Sequence, residues 1–461
     1  MAIVTDKQLL LDKQSLYGII MPYTFDKRCP MYWNKEIETI SRKDLEALQL
    51  KKLQKALEAA RTTPFYKKVF EENKINVDTI KTLEHIKDLP FTSKNDLRLS
   101  YPDGMVAVPK KAIVRMHASS GTTGKSTVIF YTAKDIKDWA DLVARCMVAT
   151  GATPDDVFQN MMGYGLFTGG LGLHYGAELL GCMVIPSASG NTLRQIQLMQ
   201  DFETTIIHIT PSYCLHLVEV IRAEGIDPYA LTVKKAYLGA EPYSEATRKK
   251  IEEQFGIDAY NSYGLSEMNG PGVAFECTHK NGMHIWEDYY IVEIINPETG
   301  EVLPPGEEGE LVLTHINREA MPIIRYRTRD LTRIIPEPCP CGRTHYRIDR
   351  IKGRTDDMLI VSGVNVFPSQ IETVLMKFPE VGNNYQIILD RENNLDRMHI
   401  KVELYSKLFH GDIKEIERIK NRLKEALKAL ITINPRIELL EPGSLPPSEG
   451  KAKRVIDNRL L

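Results

Sequence analysis

Residues 119–127 read Ser-Ser-Gly-Thr-Thr-Gly-Lys-Ser-Thr, so two glycines stand among hydroxyl residues and a lysine follows them. Gly121 and Gly124 allow the backbone to turn its N–H groups toward an anion. Lys125 adds a positive charge to these donors. Further donors are the side-chain hydroxyl groups of Ser119, Ser120, Thr122 and Thr123. The stretch therefore predicts a loop that holds a polyphosphate.

This loop differs from a P-loop in its glycines and in its flanking segments. A P-loop reads Gly-x-x-x-x-Gly-Lys-Ser and needs a glycine where Ser119 stands. A helix follows the loop in the P-loop enzymes, whereas here a strand-like segment at 112–116 precedes the loop and another at 128–131 follows it. A phosphotransferase built on a P-loop is thus an alternative function that both observations disfavour.

Five more motifs lie downstream of the loop. They are Gly239, Ala240, Glu241 and Pro242; Asn261, Ser262, Tyr263 and Gly264, continuing to Glu267; Tyr-Arg-Thr-Arg-Asp at 326–330; Gly-Arg-Thr-Asp-Asp at 353–357; and Ser-Glu-Gly-Lys at 448–451. In type and order the six motifs resemble those of the adenylate-forming enzymes, the superfamily of acyl- and aryl-coenzyme A ligases. One position departs from the pattern, because Arg329 stands where many members carry glycine.

The resemblance implies an ATP site. In such a site the 239–242 segment lies against the adenine face and Tyr263 packs on the adenine ring. Glu267 holds the Mg²⁺ that bridges the ATP phosphates, and carboxylate oxygen is a ligand type that this cation prefers. Asp330 accepts hydrogen bonds from both ribose hydroxyls, and Arg354 reaches the ribose and phosphate.

Two further residues are implied to act during turnover. Asp356 is the hinge between two domains, and Lys451 meets the reacting carboxylate. Simpler interpretations stay open: Glu267 as a helix cap, Asp330 as an ion-pair partner of a neighbouring arginine, and Lys451 as a solvated charge. The neighbouring arginines are Arg325, Arg327 and Arg329. A zinc-stabilised protein that binds adenylate without turnover is a third hypothesis, although a pure binder needs neither Glu267 nor Lys451.

Three stretches narrow the resemblance: Tyr-Gly-Leu-Phe-Thr-Gly-Gly at 164–170, Ile-Arg-Tyr-Arg-Thr-Arg-Asp at 324–330, and Gly-Val-Asn-Val-Phe-Pro-Ser-Gln-Ile-Glu at 363–372. They resemble phenylacetate–coenzyme A ligases, and the likeness covers nearly the whole chain. It implies an ATP-dependent ligase that converts an aromatic acid, best phenylacetate, to an acyl-adenylate and transfers the acyl group to coenzyme A. The same chemistry on another aryl or indole acetic or propanoic acid is the alternative. A homodimer is a family expectation.

An apolar pocket for the aromatic ring is predicted around Tyr164 and Phe167, which stand among glycines. The alternative is that both aromatic side chains are core residues.

A second set of residues predicts a metal site. Cys339 and Cys341 flank a proline on a turn, and their candidate partners are Cys277 and His284, with His279 as the rival. Asn-Gly at 281–282 predicts a two-residue hairpin whose register would place His279 opposite His284 and Cys277 on the same face. Four protein ligands would form a closed, structural Zn²⁺ site. Unmetallated thiols are the alternative. The remaining cysteines, expected to pack in apolar or turn contexts, are Cys29, Cys146, Cys182 and Cys214.

The composition excludes several classes of protein. The 461 residues carry a net charge of −2, which provides no basic surface for nucleic acid. No apolar run approaches the roughly 20 residues of a membrane span, and the N-terminus lacks a secretory pattern. Seven cysteines without a signal segment favour the reducing cytoplasm.

The element pattern predicts an α/β fold. From about residue 112, strand-like runs at 157–161, 182–185, 205–209, 235–238 and 259–263 alternate with helical stretches, which favours helix-covered parallel sheets. After residue 285 the pattern predicts a β-barrel-like subdomain. We expect an N-terminal adenylation domain at 1–355, with the ATP, acid and zinc sites, and a small mobile α+β domain at 356–461 that carries Lys451.

Overall fold

The computed structural model describes residues 32–119, 126–361, 364–392, 395–405, 413–446 and 454–459. The N-terminal helices are α1 (Lys35–Glu38), α2 (Arg42–Ala60), α3 (Pro64–Glu72) and α4 (Lys94–Leu99). The chain breaks between α1 and α2 at Ser41, whose side chain accepts a hydrogen bond from the Asp44 N–H and caps α2. Pro64 is the first residue of α3, a position that tolerates proline because the first helical turn needs no N–H there.

The next segment builds the central α/β region. Its elements are β1 (Ile113–Ala118), β2 (Val128–Thr132), α5 (Ala133–Ala149), β3 (Val157–Asn160), α6 (Thr168–Leu180), β4 (Met183–Ile185), α7 (Thr192–Asp201), β5 (Ile206–Ile209), α8 (Pro211–Ala223), β6 (Lys235–Leu238), α9 (Glu245–Phe255), β7 (Asp258–Leu265), β8 (Gly270–Glu276) and β9 (Met283–Ile285). All five predicted strands are present. Helix α5 begins at a capping box formed by Thr132 and Asp135.

The remaining elements form the β-rich part and the C-terminal unit. They are β10 (Tyr290–Ile295), β11 (Gly309–His315), β12 (Ile323–Thr332), β13 (Ile334–Ile335), β14 (Arg347–Ile348), β15 (Gly353–Arg354), β16 (Leu359–Val361), β17 (Val364–Val366), α10 (Pro368–Leu375), β18 (Val381–Glu392), β19 (Leu395–Leu404), α11 (Ile413–Ile431), β20 (Arg436–Leu440) and β21 (Val455–Asp457).

The large sheet has the order β13-β14-β9-β8-β7-β6-β5-β3-β4. Strands β4, β3, β5, β6 and β7 are parallel, and the strands beyond β7 are antiparallel. The parallel strands are nearly continuous apolar runs because helices cover both faces of such a sheet. In the segment expected to be barrel-like, β10, β11, β12 and β15 form a four-stranded antiparallel sheet.

The C-terminal unit has its own sheet, in the order β20-β19-β18-β21, with α10 and α11 packed on it around a separate hydrophobic core. This arrangement confirms the predicted class, a large α/β part and a smaller α+β unit. The boundary at residue 355 and the mobility of the smaller unit stay predictions. Among the described residues, no helix is both long enough and apolar enough to cross a membrane.

Candidate active site

The Asn261–Glu267 motif follows the sheet into a tight reversal. Asn261, Ser262, Tyr263 and Gly264 lie on β7, and Glu267 lies buried in a single 3₁₀ turn, Ser266–Met268, that leads into β8. A Cβ atom at Gly264 would lie 1.6 Å from the Gly270 carbonyl oxygen, so only glycine permits this close approach. Glu267 therefore occupies the turn itself, and the helix-cap interpretation does not apply.

Two residues that have no assigned role in ATP binding, Arg318 and Tyr326, lie next to Glu267. Arg318 donates to the Glu267 carbonyl oxygen at 2.7 Å and also bonds the Asn269 side chain. Burial and the neighbouring Glu267 carboxylate raise the pKa of Tyr326 well above its ordinary value. Arg318 lies in no motif, so the sequence offered no signal for it, whereas Tyr326 opens the 326–330 motif. Together they hold the Glu267 turn in place.

Asp330 is the centre of a buried polar cluster. Tyr263 donates its hydroxyl to Asp330 Oδ2 at 2.5 Å, and Arg354 donates to Asp330 Oδ1 at 2.9 Å. Strand pairing produces this contact, because Asp330 on β12 lies opposite Arg354 on β15. Burial raises the pKa of Asp330 to about 6, against the opposing effect of Arg354. The cluster offers a carboxylate and a guanidinium to a polar ligand.

The adjacent arginines bind elsewhere. Arg325 pairs with Glu293, while Arg327 and Arg329 pair with Glu310. The structure therefore contradicts the simpler interpretation in which one of them neutralises Asp330.

Arg354 also contacts the predicted hinge. Its Nε and second terminal nitrogen donate to the two carboxylate oxygens of Asp356 at 2.8 and 3.0 Å. Asp356 is exposed and lies in the connection between β15 and β16, where the chain passes to the C-terminal unit. One guanidinium thus joins the buried Asp330 to the exposed connection.

The 239–242 segment lies at the carboxyl end of β6, beside β7. A Cβ atom at Gly239 would lie 2.7 Å from the Ser262 carbonyl oxygen. Ala240 has a φ of 68°, a strained conformation for a residue with a side chain, and such strain is concentrated at functional sites. Glu241 accepts the Ser212 N–H at 2.7 Å, and Pro242 follows, exposed. Ligands of parallel α/β sheets bind at this edge.

The predicted phosphate loop closes a hairpin. Ala118 pairs with Val128 across β1 and β2, and Ser119 bonds Thr127 through both backbone and side chain. The loop therefore connects two strands, as predicted. The residues Ser120, Gly121, Thr122, Thr123, Gly124 and Lys125 lie outside the described residues, as does Lys451. Their roles stay predictions.

The predicted acid-pocket residues lie on the loop between β3 and α6. Tyr164 is half-buried; its hydroxyl accepts from Asn160 Nδ2 at 3.0 Å and bonds His174 Nδ1 at 3.1 Å. Phe167, at the N-cap of α6, is 51% exposed, so it is not a core residue. The loop is fastened to β1 by the Ala118 N–H, which donates to the Leu166 carbonyl oxygen at 2.9 Å. It therefore runs beside the strand that enters the phosphate loop.

The four preferred metal ligands meet in one buried group. The donor atoms of Cys277, His284, Cys339 and Cys341 all lie within 4.8 Å of one another. The Cys277 and Cys339 sulfurs are 3.7 Å apart, and Cys341 Sγ lies 3.3 Å from His284 Nε2. A tetrahedron with zinc–sulfur bonds of about 2.3 Å has edges of about 3.8 Å, close to these separations. The donor set and its spacing fit Zn²⁺.

The predicted hairpin register is wrong. His284 pairs with Phe275, and His279 is exposed on a longer connection that excludes it from the group. The Lys280 N–H closes a turn onto the Cys277 carbonyl, and positive φ occurs at Lys280 and Gly282, whereas a two-residue loop needs it at both Asn281 and Gly282, so that loop does not form. The turn still brings Cys277 to the two cysteines of the 339–341 segment.

Two residues of the N-terminal segment, Tyr32 and Glu38, support the metal group, and no sequence pattern indicated them. Arg343 donates to Glu38 at 2.7 Å in a fully buried ion pair. Burial opposes the charge of Arg343, yet Glu38 and Cys341 hold its pKa above the ordinary value. The Tyr32 hydroxyl donates to the Cys341 carbonyl at 2.7 Å.

Comparisons with known proteins agree with this geometry. The profile of the AMP-binding enzyme family matches residues 39–317, and that of the AMP-binding enzyme C-terminal domain matches residues 363–459. A phenylacetate-coenzyme A ligase of Thermus thermophilus is 45% identical over 93% of this chain and 100% of that protein. One from Pseudomonas putida is 48% identical over 92% of this chain and 96% of that protein. The chain belongs to the phenylacetate–coenzyme A ligase family.

A solved relative has been captured in two arrangements. The structure of 2-hydroxyisobutyryl-CoA ligase in the postadenylation state with 2-HIB-AMP is 28% identical, covers 96% of this chain and 95% of that one, and superposes with a TM-score of 0.90. The same ligase with 2-HIB-AMP and CoA in the thioesterification state is 29% identical and covers 95% of this chain and 94% of that one. It superposes with a TM-score of 0.71. The present arrangement of this family member thus matches the postadenylation form far better.

Proposed function

We propose that the protein is an AMP-forming ligase that activates phenylacetate with ATP and transfers the phenylacetyl group to coenzyme A. The observation that carries the proposal is the meeting of Tyr263, Asp330 and Arg354 beside the Glu267 turn, in a chain 45–48% identical to four phenylacetate-coenzyme A ligases. In this assignment Asp330 accepts the ribose hydroxyls, in place of the Tyr263 hydroxyl that it now binds.

The first half-reaction joins two anions. A carboxylate oxygen attacks the α-phosphorus of ATP, an acyl-adenylate forms, and pyrophosphate leaves. Positive charge must stand where negative charge develops. Lys125 and Lys451 supply it, and Mg²⁺ held by the buried Glu267 carboxylate would neutralise phosphate charge. In the second half-reaction the coenzyme A thiol attacks the acyl carbon of the mixed anhydride and AMP leaves, so no covalent enzyme nucleophile is needed.

Two positions of the C-terminal unit serve the two half-reactions. The TM-scores of 0.90 and 0.71 support an adenylation-type arrangement in this structure. In it Lys451 would approach the acid and ATP, and rotation about Asp356 would then withdraw Lys451 and admit coenzyme A. The proposed boundary, with residues 1–355 on one side and 356–461 on the other, passes through the exposed Arg354–Asp356 connection.

The proposed substrate is an acid whose flat aromatic ring is separated from its carboxylate by one methylene group. The half-buried Tyr164 and the exposed Phe167 lie on the loop between β3 and α6, and an aromatic ring packed on them would bury the exposed apolar surface of Phe167. One methylene in such a slot is worth only about 1–3 kcal/mol. Benzoate is therefore a poorer substrate than phenylacetate, and acetate is poorer still.

Coenzyme A-dependent AMP release across a panel of acids tests this assignment. Phenylacetate should give the highest kcat/KM, and Phe167→Ala should raise the KM for phenylacetate more than the KM for ATP. A higher kcat/KM for acetate or a long fatty acid would refute the phenylacetate assignment. A higher value for an indole or hydroxylated aryl acid would favour the alternative acid with the same chemistry.

The metal is a structural Zn²⁺. Three thiolates and one imidazole fill a tetrahedral shell and leave no open position for substrate, which distinguishes structural from catalytic zinc sites. The other described cysteines, Cys146, Cys182 and Cys214, are buried and form no disulfide among the described residues, which supports a reducing cytoplasmic setting.

A further inference from the structure

Glu372, the last residue of the 363–372 stretch, joins the C-terminal unit to the larger one. It lies on α10, and its Oε1 accepts the Ser244 N–H at 2.9 Å and the Thr247 hydroxyl at 2.6 Å. Its Oε2 accepts the Tyr385 hydroxyl at 3.0 Å, from the C-terminal unit itself. The carboxylate therefore makes two hydrogen bonds across the contact between the units and one within its own unit.

The position of the contact favours a negative charge. Ser244 is the N-cap of α9, and its hydroxyl already accepts the Thr247 N–H at 3.1 Å. The free N–H groups at a helix N-terminus carry partial positive charge, which a carboxylate stabilises. Hydrogen bonds to an ionised acceptor are stronger than neutral ones. Glu372 thus completes the cap of a helix that belongs to the other unit.

A second contact fastens the middle of the same helix. Lys250 on α9 donates to the Val381 and Gly382 carbonyl oxygens at 2.9 and 3.2 Å. Burial lowers the pKa of Lys250 to about 8, and Glu219 limits the fall. Farther along α9, Gln254 donates to the Tyr405 hydroxyl at 2.9 Å. Helix α9 therefore carries most of this polar contact.

The same helix is attached to the nucleotide segment. Only Tyr243 and Ser244 separate Pro242 from the first residue of α9. A unit docked through Glu372 is therefore held within a few residues of the segment assigned to the adenine. Loss of this contact would change the population of the docked arrangement, because each contact shifts an equilibrium by its differential stability in the two states.

We propose that Glu372 is a positioning residue for the first half-reaction: by capping α9 it docks the C-terminal unit in the arrangement in which acid and ATP react. The contact must open before thioester formation. This inference rests on the proposed function for its chemical consequence, whereas the docking itself does not depend on the substrate.

Hydrogen exchange of the full-length protein tests the docking without substrate. In Glu372→Ala the Ser244 N–H loses its acceptor, so exchange in a peptide spanning 241–248 should accelerate by about 10-fold, while Glu372→Gln keeps a neutral acceptor there and should accelerate less. Thr373→Ala is the matched control, since the Thr373 hydroxyl donates to the Ser369 carbonyl on its own helix. Unchanged exchange in Glu372→Ala would overturn the docking contact.

The two half-reactions test its chemical role. Glu372→Ala should lower phenylacetate-dependent exchange of pyrophosphate into ATP by about 10-fold and leave the conversion of supplied phenylacetyl-adenylate and coenzyme A unchanged. Glu372→Gln, which keeps a neutral acceptor, should recover part of this loss. Equal loss in both half-reactions, or no loss in either, would overturn the positioning role. Failure of the proposed function is distinguishable, since the wild-type protein would then show no phenylacetate-dependent exchange.

Discussion

Removal of the metal group should destabilise the protein without removing the ATP site. The double substitution Cys339→Ser with Cys341→Ser deletes two of four ligands that lie within 4.8 Å of one another. A metal bound there cross-links Cys277 to a turn 62 residues away. In the chain-entropy treatment of cross-links, closing a loop of about 60 residues stabilises the folded state by about 4 kcal/mol.

That free energy determines how far the apparent Tm should fall. A unit of roughly 300 residues has an unfolding entropy of about 0.6 kcal/mol/K, so a loss of about 4 kcal/mol lowers the apparent Tm by about 6 °C. Calorimetry of wild type and variant, with elemental analysis of both, measures the shift and the zinc content. We expect one zinc per wild-type chain, none in the variant, and retained ATP binding.

Cys182→Ser is the control for the loss of a buried thiol. The Cys182 thiol donates to the Thr153 carbonyl at 3.3 Å, and a serine hydroxyl can do the same, so zinc content should not change. A wild-type protein without stoichiometric metal would refute the site. A double variant with the same apparent Tm as the wild type would refute the structural role of the metal group.

The other predictions concern turnover. Lys451→Ala should lower adenylate formation by about 10²–10³-fold and largely spare thiolation of supplied acyl-adenylate; equal loss of both would contradict its single role. Asp356→Pro should fix φ and leave one half-reaction, whereas Asp356→Ala, which also lacks the carboxylate, should retain both; full turnover in the proline variant would show that no rotation is needed. Because Asp330 has a pKa of about 6, its carboxylate is progressively lost as pH falls below that value, so the KM for ATP should rise tenfold per pH unit there. In Asp330→Asn the KM should be high and independent of pH, and a wild-type KM that stays flat to about pH 5 would contradict the role of the carboxylate.

The parallel half of the large sheet could be predicted from sequence because its strands are short apolar runs bounded by turns. The antiparallel half could not, because its register depends on tertiary contacts. At the metal group, for example, the Thr278 N–H bonds the Ala149 carbonyl, and Lys280, a residue with a side chain, adopts a φ of 50°. These two features, which no local pattern contains, lengthen the connection and displace His279.

In the candidate site, too, some residues could be predicted from the sequence and others could not. The motif residues could be named because their motifs resemble those of a known superfamily, whose chemistry needs these residue types at those places. Their supports could not, since Arg318 and Glu38 act across long separations: Arg343 and Glu38 lie 305 residues apart. Such partners are determined by folding of the whole chain, and no sequence spacing indicates them.

The fate of the carboxylate oxygen tests the adenylation chemistry most directly. Phenylacetate labelled with oxygen-18 in its carboxylate should be converted with ATP and coenzyme A, and the products analysed by mass spectrometry. If the carboxylate attacks the α-phosphorus, one labelled oxygen appears in AMP and none in pyrophosphate. Labelled inorganic phosphate together with ADP would contradict the account, because the acid would then have attacked the γ-phosphorus.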